Sequence, residues 1–330
     1  MHDQRVRLDQ RLYERLLRKK AQLDQYRPLS ARMMQQIYEH LRVLLTYHSN
    51  AIEGNTLTLA ETKMVVEYGL TMGDHTVREY REATNHARAW EEVTRLAAAT
   101  TPITTETVLH LHRLVMHELV ATAGQLRPGA VLITGTDYQP PPASIVPRLM
   151  TEWLAWLDGA GRTYHPVVRA AIAHHDFEAV HPFDDGNGRV GRLLLNLLLM
   201  RDGYAPALLL RDWRTAYIRA LQVATNGTYA PIANLIGRAA EGGLDLYLKV
   251  CTDLPDHQVV PLAQLAKANG HTPNYFGLLV RLGRLHATKR RGRWYSTQHA
   301  VDRYHAEVSD GRFPAGRPPR RASEDANDTR

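Results

Sequence analysis

The amino-acid sequence predicts a mainly α-helical protein: a helical bundle carrying one short β-hairpin, followed by a small carboxyl-terminal unit. Three observations carry that class. Apolar residues recur at spacings of three and four over most of the first ~250 residues, the period of a helix with one buried face. A single stretch, residues 131–142, breaks this period with β-branched residues, a glycine and three prolines. From about residue 257 the chain changes to short helical runs around a basic, aromatic hairpin.

The elements follow in order. Residues 5–26 and 30–48 are amphipathic helices, the first with its apolar positions at Leu12, Leu16 and Leu17 and the second at Ile37, Leu41, Leu44 and Leu45. Thr58-Leu59-Ala60-Glu61 has the form of a capping box: the hydroxyl accepts from the third backbone amide and the glutamate reaches back, so a helix starts near Leu59. Residues 76–98 and 105–119 continue the helical pattern, and 131–138 form the hairpin, closed by an extended proline turn. Helices resume at 145–159 and 166–180. After an unusual segment, 181–192, the run of residues 193–200 is apolar on every side, as in a helix at the centre of a bundle. Further helices cover 211–225 and 229–250. Residues 262–270 and 275–282 are short helices, 289–295 a basic hairpin, and a last helix runs to Tyr304. The tail beyond 309, rich in Pro, Arg, Gly, Ser and Asp, reads as disordered.

With 330 residues, 44% apolar and 23% charged, the chain is globular with room for two or three domains. No apolar run approaches the ~20 residues that cross a bilayer, and the first residues lack the apolar centre of a signal peptide, so no membrane partner and a cytoplasmic location are expected. The lone Cys251 excludes an internal disulfide or a multi-cysteine metal site and reads as structural. The net charge of +7 is concentrated: residues 281–330 hold twelve Lys or Arg against six Asp or Glu. Any acidic partner is expected there.

The chemistry lies in His181-Pro182-Phe183-Asp184-Asp185-Gly186-Asn187-Gly188-Arg189-Val190-Gly191-Arg192. Gly186 and Gly188, just ahead of an apolar helix, let the backbone approach an anion at a helix N-terminus, although the same turn serves as a plain cap. Asp184 or Asp185 offers the hard oxygen that Mg²⁺ prefers. Arg189 and Arg192 suit forked hydrogen bonds to outer phosphates, and His181 is the group able to take a proton near neutral pH. His174 and His175 face different sides of their helix, which argues against a shared metal.

These twelve residues match the signature of the Fic (Fic/DOC) family at every fixed position: His-Pro-Phe, any residue, Asp or Glu, Gly-Asn-Gly-Arg, two free residues, Arg. The resemblance extends over roughly 30–250, through Ala123-Gly124-Gln125-Leu126-Arg127, the hairpin and Arg201-Asp202-Gly203-Tyr204. It implies a Fic-type helical bundle with a hairpin flap, acting as a protein adenylyltransferase on a Tyr, Thr or Ser hydroxyl. His181 would deprotonate the hydroxyl, Asp185 would hold Mg²⁺, and the Gly186, Asn187 and Gly188 amides would form an anion hole for ATP. Arg189 and Arg192 would hold its outer phosphates, and Phe183 would be a buried anchor. Residues 131–138 would bind the target as an added strand. By the same resemblance Thr134, Gly135, Thr136 and Asp137 touch the nucleotide, while Tyr217 either lines the adenine pocket or packs in the core.

Ser49-Asn50-Ala51-Ile52-Glu53-Gly54-Asn55 taken alone is an ordinary helix end. It is also similar to the family's inhibitory motif, and its place ahead of the catalytic segment resembles the class with an N-terminal inhibitory helix. Glu53, with Ser49, would then pair with Arg192 and displace the γ-phosphate. Residues 257–308 resemble a winged helix-turn-helix, whose helix and wing at 273–295 would meet DNA, although the helix is poor in base-reading side chains. The organisation so implied is a helical region at 1–95 with its motif at 49–55, a catalytic domain at 96–250, the winged unit at 257–308 and the tail. Its partners are a target protein, the chain itself as target, a second copy as homodimer, and DNA. Competing readings are a DNA-binding regulator that senses a nucleotide, transfer of another phosphate-containing group, and removal of AMP.

Overall fold

The computed structural model describes residues 6–27, 29–99, 101–133, 136, 138–253, 260–290 and 292–310. They divide into two compact units, one from residues 1–23 and 35–248, the other from 24–34 and 249–330. The grouping of 24–34 with the carboxyl-terminal unit has no counterpart in the sequence reading.

The regular elements among the first unit's described residues are all helices. It contains α1 (Gln10–Asp24), α2 (Ala31–Ile52), α3 (Leu59–Tyr68), α4 (Val77–Ala98), α5 (Thr105–Val115), α6 (Val146–Asp158), α7 (Pro166–Val180), α8 (Asn187–Arg201), α9 (Arg214–Thr225) and α10 (Ala230–Asp253), with α2 and α10 running across the division. Capping chemistry places several starts. Thr58 Oγ1 accepts from the Glu61 amide at 3.2 Å while Glu61 returns a 2.7 Å bond to the Thr58 amide, and Thr76 with Glu79 repeats the device. Each such cap stabilises its helix by about 1 kcal/mol. In α1, Leu12, Leu16 and Leu23 are buried at 4 and 7 spacing; Leu17, expected with them, is 42% exposed because it falls one step off that stripe.

At the centre α8 lies against α7 and α4, and every residue from Arg189 to Leu199 is buried. The apolar run expected to be central is so, each leucine contributing about 1.5–3 kcal/mol of burial. Its one polar interruption, Asn196, is satisfied, since Oδ1 accepts from the Ala207 amide at 2.7 Å.

The hairpin expected at 131–138 is described only in part. Its described residues form no strand pair, and Thr134, Gly135 and Asp137 lie outside the described residues. A two-stranded ribbon with no third strand is marginal by itself. Here the segment is instead tethered by Tyr138, whose hydroxyl donates to Ala179 O at 3.0 Å.

The second unit packs α11 (Leu262–Ala268), α12 (Pro273–Arg281) and α13 (Gln298–Ser309) with an antiparallel sheet of order β1-β3-β2, from β1 (Val260–Pro261), β2 (Thr288–Arg290) and β3 (Arg293–Ser296). Leu262, Leu265, Phe276, Leu279, Val301 and Tyr304 form its core. Cys251 is buried, which pushes its thiol pKa up to about 11 and leaves it inert. The tail from 311 lies outside the described residues. No helix among the described residues is long and apolar enough to cross a membrane.

Candidate active site

The site is built where α7 stops and α8 starts. His181 closes α7 in the left-handed region, φ 49° and ψ 61°, a conformation usually left to Gly or Asn at a helix end. Its amide bonds Phe177 O and its carbonyl accepts from Arg127 Nε at 2.7 Å. The ring is half-buried, and Nδ1 lies 3.3 Å from Glu178 O. A carbonyl can only accept, so Nδ1 carries the proton and Nε2 keeps a free lone pair. Burial lowers the His181 pKa below its ordinary value, opposed by that carbonyl, so the imidazole is neutral near pH 7.

The loop is braced from below. Phe183, fully buried, stacks on His112 with ring centroids 3.6 Å apart. The Asn187 side chain closes a ring with Phe183, its Oδ1 accepting from the amide and its Nδ2 donating to the carbonyl, both at 2.9 Å. His112 Nδ1 accepts from the Gly124 amide at 2.9 Å, so Nε2 must donate to Asp185 O at 3.0 Å. Burial drops the His112 pKa to about 4 and keeps this two-sided bond neutral.

Gly186, at φ 83°, opens α8 without a side-chain cap, so no side chain of its own occupies the first-turn amides, and Gly188 of that turn lines a pocket. An internal carboxylate stands there. Glu53 Oε1 accepts from Arg192 at 2.7 Å and lies so close to Gly188 that a Cβ on that residue would meet it at 2.2 Å. Arg192, buried, also donates to Ser49 Oγ at 3.0 Å and to Ser49 O at 2.9 Å. Arg214 Nε holds the end of α2 by a 2.7 Å bond to Ile52 O. Gly54, at φ 102°, lets the chain turn away after the glutamate.

Arg189 is buried in ion pairs with Glu82 at 3.2 Å and Asp185 at 3.1 Å. Asp185 receives the Gly186 amide on Oδ1 and Arg78 on Oδ2, at 2.6 and 2.8 Å. Asp184 is turned to Thr122 at 3.0 Å. A single carboxylate suits Mg²⁺ when substrate phosphates complete the shell, and among the described residues no group of three or more His, Cys, Asp or Glu is gathered to bind a metal alone. His174 and His175 part as their spacing requires, toward Tyr217 at 2.7 Å and Thr225 at 3.3 Å.

A pocket of about 200 Å³ is lined by the charged and polar Glu53, Glu178, His181 and Arg192 with Gly188, and by Ile133, Tyr138, Ile218 and Leu221, with Thr136 and Tyr217 also in its wall. The first set suits phosphates and the second a base. The sequence reading did not single out Glu178. Burial raises its carboxyl pKa from 4.5 to about 8, against the pull of Arg192, and its Oε1 has no hydrogen-bond partner. Residues 174, 178 and 181 recur at helical spacing, a signal that could have found it; His112 offers none, because its partners are remote in sequence.

Comparison with known proteins places the chain in a family. The Fic/DOC family model matches residues 102–199. Protein adenylyltransferase Fic of Drosophila virilis is 36% identical over 227 residues, covering 68% of this chain and 46% of that protein, so the chain spans about half the length of the curated relatives it matches. The solved structure of Fic-1 from C. elegans superposes with a TM-score of 0.65 at 30% identity over 73% of either chain. A Fic family protein from Desulfovibrio desulfuricans gives a TM-score of 0.64 at 25% identity, covering 89% of this chain and 98% of the other. On the 30% identity with Fic-1 over 73% of both chains and the family match at 102–199, the chain belongs to the Fic/DOC family.

Proposed function

We propose that this protein transfers AMP from ATP to a hydroxyl side chain of a target protein, and that Glu53 restrains it. The carrying observation is the Glu53 carboxylate bound to Arg192 at the open N-terminus of α8, beside a neutral His181. An anion is already accommodated there, at the pole of a helix that favours one. The names of the curated relatives support the same activity.

In this reading Arg192 exchanges Glu53 for the γ-phosphate, Arg189 steadies the β-phosphate, and the amides from Gly186 to Gly188 take charge that builds on the α-phosphate. The target oxygen attacks the α-phosphorus, its proton passes to His181 Nε2, and the bond to the bridging oxygen breaks to release pyrophosphate. Positioning and charge stabilisation carry the step. Asp185 would hold Mg²⁺ once Arg78 releases Oδ2, and the metal would neutralise phosphate charge. Tyr217 and Thr136 would border the adenosine; Thr134, Gly135 and Asp137 are assigned to the nucleotide by family resemblance alone. The flap at 131–138 would bind the target backbone. Residues 1–95, 96–250, 257–308 and 309–330 would serve as brake-bearing region, catalytic domain, winged unit and tail, in a cytoplasmic setting.

DNA binding through 273–295 is carried less well. Lys289 and Arg293 suit phosphates, but Leu278 of α12 and Leu282 just after it are exposed, and neither can hydrogen-bond a base edge. A steeply salt-dependent affinity for duplex DNA would revive the regulator reading.

Incubation with α-labelled ATP and Mg²⁺ tests the proposal. Label should enter protein with Glu53→Gly and disappear when His181→Ala is added. Label with γ-labelled ATP only would indicate phosphate transfer. Release of AMP from a pre-labelled target, lost on changing Glu53, would indicate a removal activity.

A further inference from the structure

Arg127 is 3% exposed, and its guanidinium bonds all end on neutral backbone carbonyls. Nε donates to His181 O at 2.7 Å and NH1 to Gly129 O at 2.8 Å. NH2 donates to Pro141 O and, at the 3.5 Å limit, to Val180 O. Its own amide donates to Pro182 O at 2.9 Å. A buried guanidinium that hydrogen-bonds no carboxylate is costly, since burial disfavours its charge more than the nearby Asp184 favours it, and an apolar side chain of that length would fill the volume more cheaply. The arrangement must therefore do something that a methionine would not.

The acceptors reveal what it does. Gly129 and Pro141 flank the flap on either side, and Val180, His181 and Pro182 are the turn that carries the imidazole. One rigid, planar group closes the neck of the flap and holds the backbone of His181 in its left-handed conformation. Tyr138 supplies a second tether, to Ala179 O at 3.0 Å. Between these points Leu132 stands 87% exposed, with Val131 and Ile133 partly buried, the alternation of a strand that offers one face outward.

We propose that Arg127 is a positioning residue that fixes the register between the flap, residues 131–138, and His181, so that an extended peptide laid along the flap presents its hydroxyl at the imidazole. This rests on the transfer reading above. Because the bonds run to backbone, the register does not depend on target sequence, and the surface it orders suits an extended segment with an apolar residue opposite Leu132.

Hydrogen exchange on the full chain tests the clamp without requiring activity, using Arg127→Met and Arg127→Lys. Arg127→Met should accelerate exchange together in the segments 129–141 and 180–186 while α4 and α5 stay protected. Arg127→Lys, with three donors on a similar stem, should recover part of that protection. Acceleration in only one segment, or equal behaviour of Met and Lys, overturns the proposal in favour of simple packing. In a Glu53→Gly background, Arg127→Met should lower self-labelling from α-labelled ATP by roughly 10- to 100-fold with ATP affinity by calorimetry unchanged. A matching loss of ATP affinity also overturns it. If Glu53→Gly alone transfers nothing, the transfer reading fails, and the exchange result still judges the clamp.

Discussion

Replacing Glu53 by glycine removes the carboxylate that occupies the anion position, and the size of the effect follows from its contacts. Its one strong bond is the 2.7 Å contact with the buried Arg192. A hydrogen bond between charged groups contributes about 1.5–3 kcal/mol. Because the Glu53 side chain is 38% exposed, solvent screening reduces this to about 1–2 kcal/mol. A seated carboxylate with that advantage lowers the apparent affinity of a competing phosphate by about 5–30-fold. Isothermal titration with Mg-ATP should therefore show Glu53→Gly binding about 5–30-fold tighter than the natural sequence. Glu53→Gln should fall between, since its amide oxygen still accepts from Arg192 but brings no charge. In the absence of nucleotide, Glu53→Gly should also be less stable by a similar ~1–2 kcal/mol, because Arg192 stays buried, keeping its bonds to Ser49 but losing its hydrogen-bonded carboxylate. Unchanged ATP affinity in Glu53→Gly would refute the competition and, with it, the brake.

Three further outcomes are expected. Burial holds the His181 pKa below its ordinary 6.5, so the base form persists as pH falls; transfer by Glu53→Gly should stay level down to that value and decline only below it, and a pH-rate inflection on the alkaline side would contradict this. Glu178 titrates near 8 in the folded chain against 4.5 unfolded, so the folded state holds the extra proton between those values. Its contribution is complete below 4.5 and is lost as pH rises through about 8; denaturant midpoints across that window should fall for the natural sequence and lose this slope in Glu178→Gln. Phe183→Ala should destabilise the fold by about 3–5 kcal/mol in urea and weaken ATP binding, because it removes the ring on which His112 stacks; a loss below about 1 kcal/mol would show that the loop has collapsed into the cavity.

Much of the fold was legible because the dominant signal is local. Helical spacing and capping boxes act within four residues, so Leu59 and Val77 start helices where Thr58 and Thr76 require them. The apolar run of α8 reads as central because only a core accepts leucines on all sides. The flap was legible only in part, since β-branched residues indicate extension but not a partner, and its described residues pair with no strand. Leu17 was misread because apolar identity alone does not say which side of a helix is covered.

The candidate site divides along the same line. Sequence alone determined which chemical groups are present and in what order from His181 to Arg192, together with a glutamate suited to oppose them. A contiguous segment carries its own spacing wherever it folds. Tertiary structure decided the contacts between groups more than a hundred residues apart in the chain. Glu53 meets Arg192 because α2 ends against the start of α8, and Arg189 is held by Glu82 because α4 packs along the same helix. It also decided the protonation states. Burial, a property of neighbours and not of sequence distance, keeps His112 and His181 neutral and Glu178 protonated.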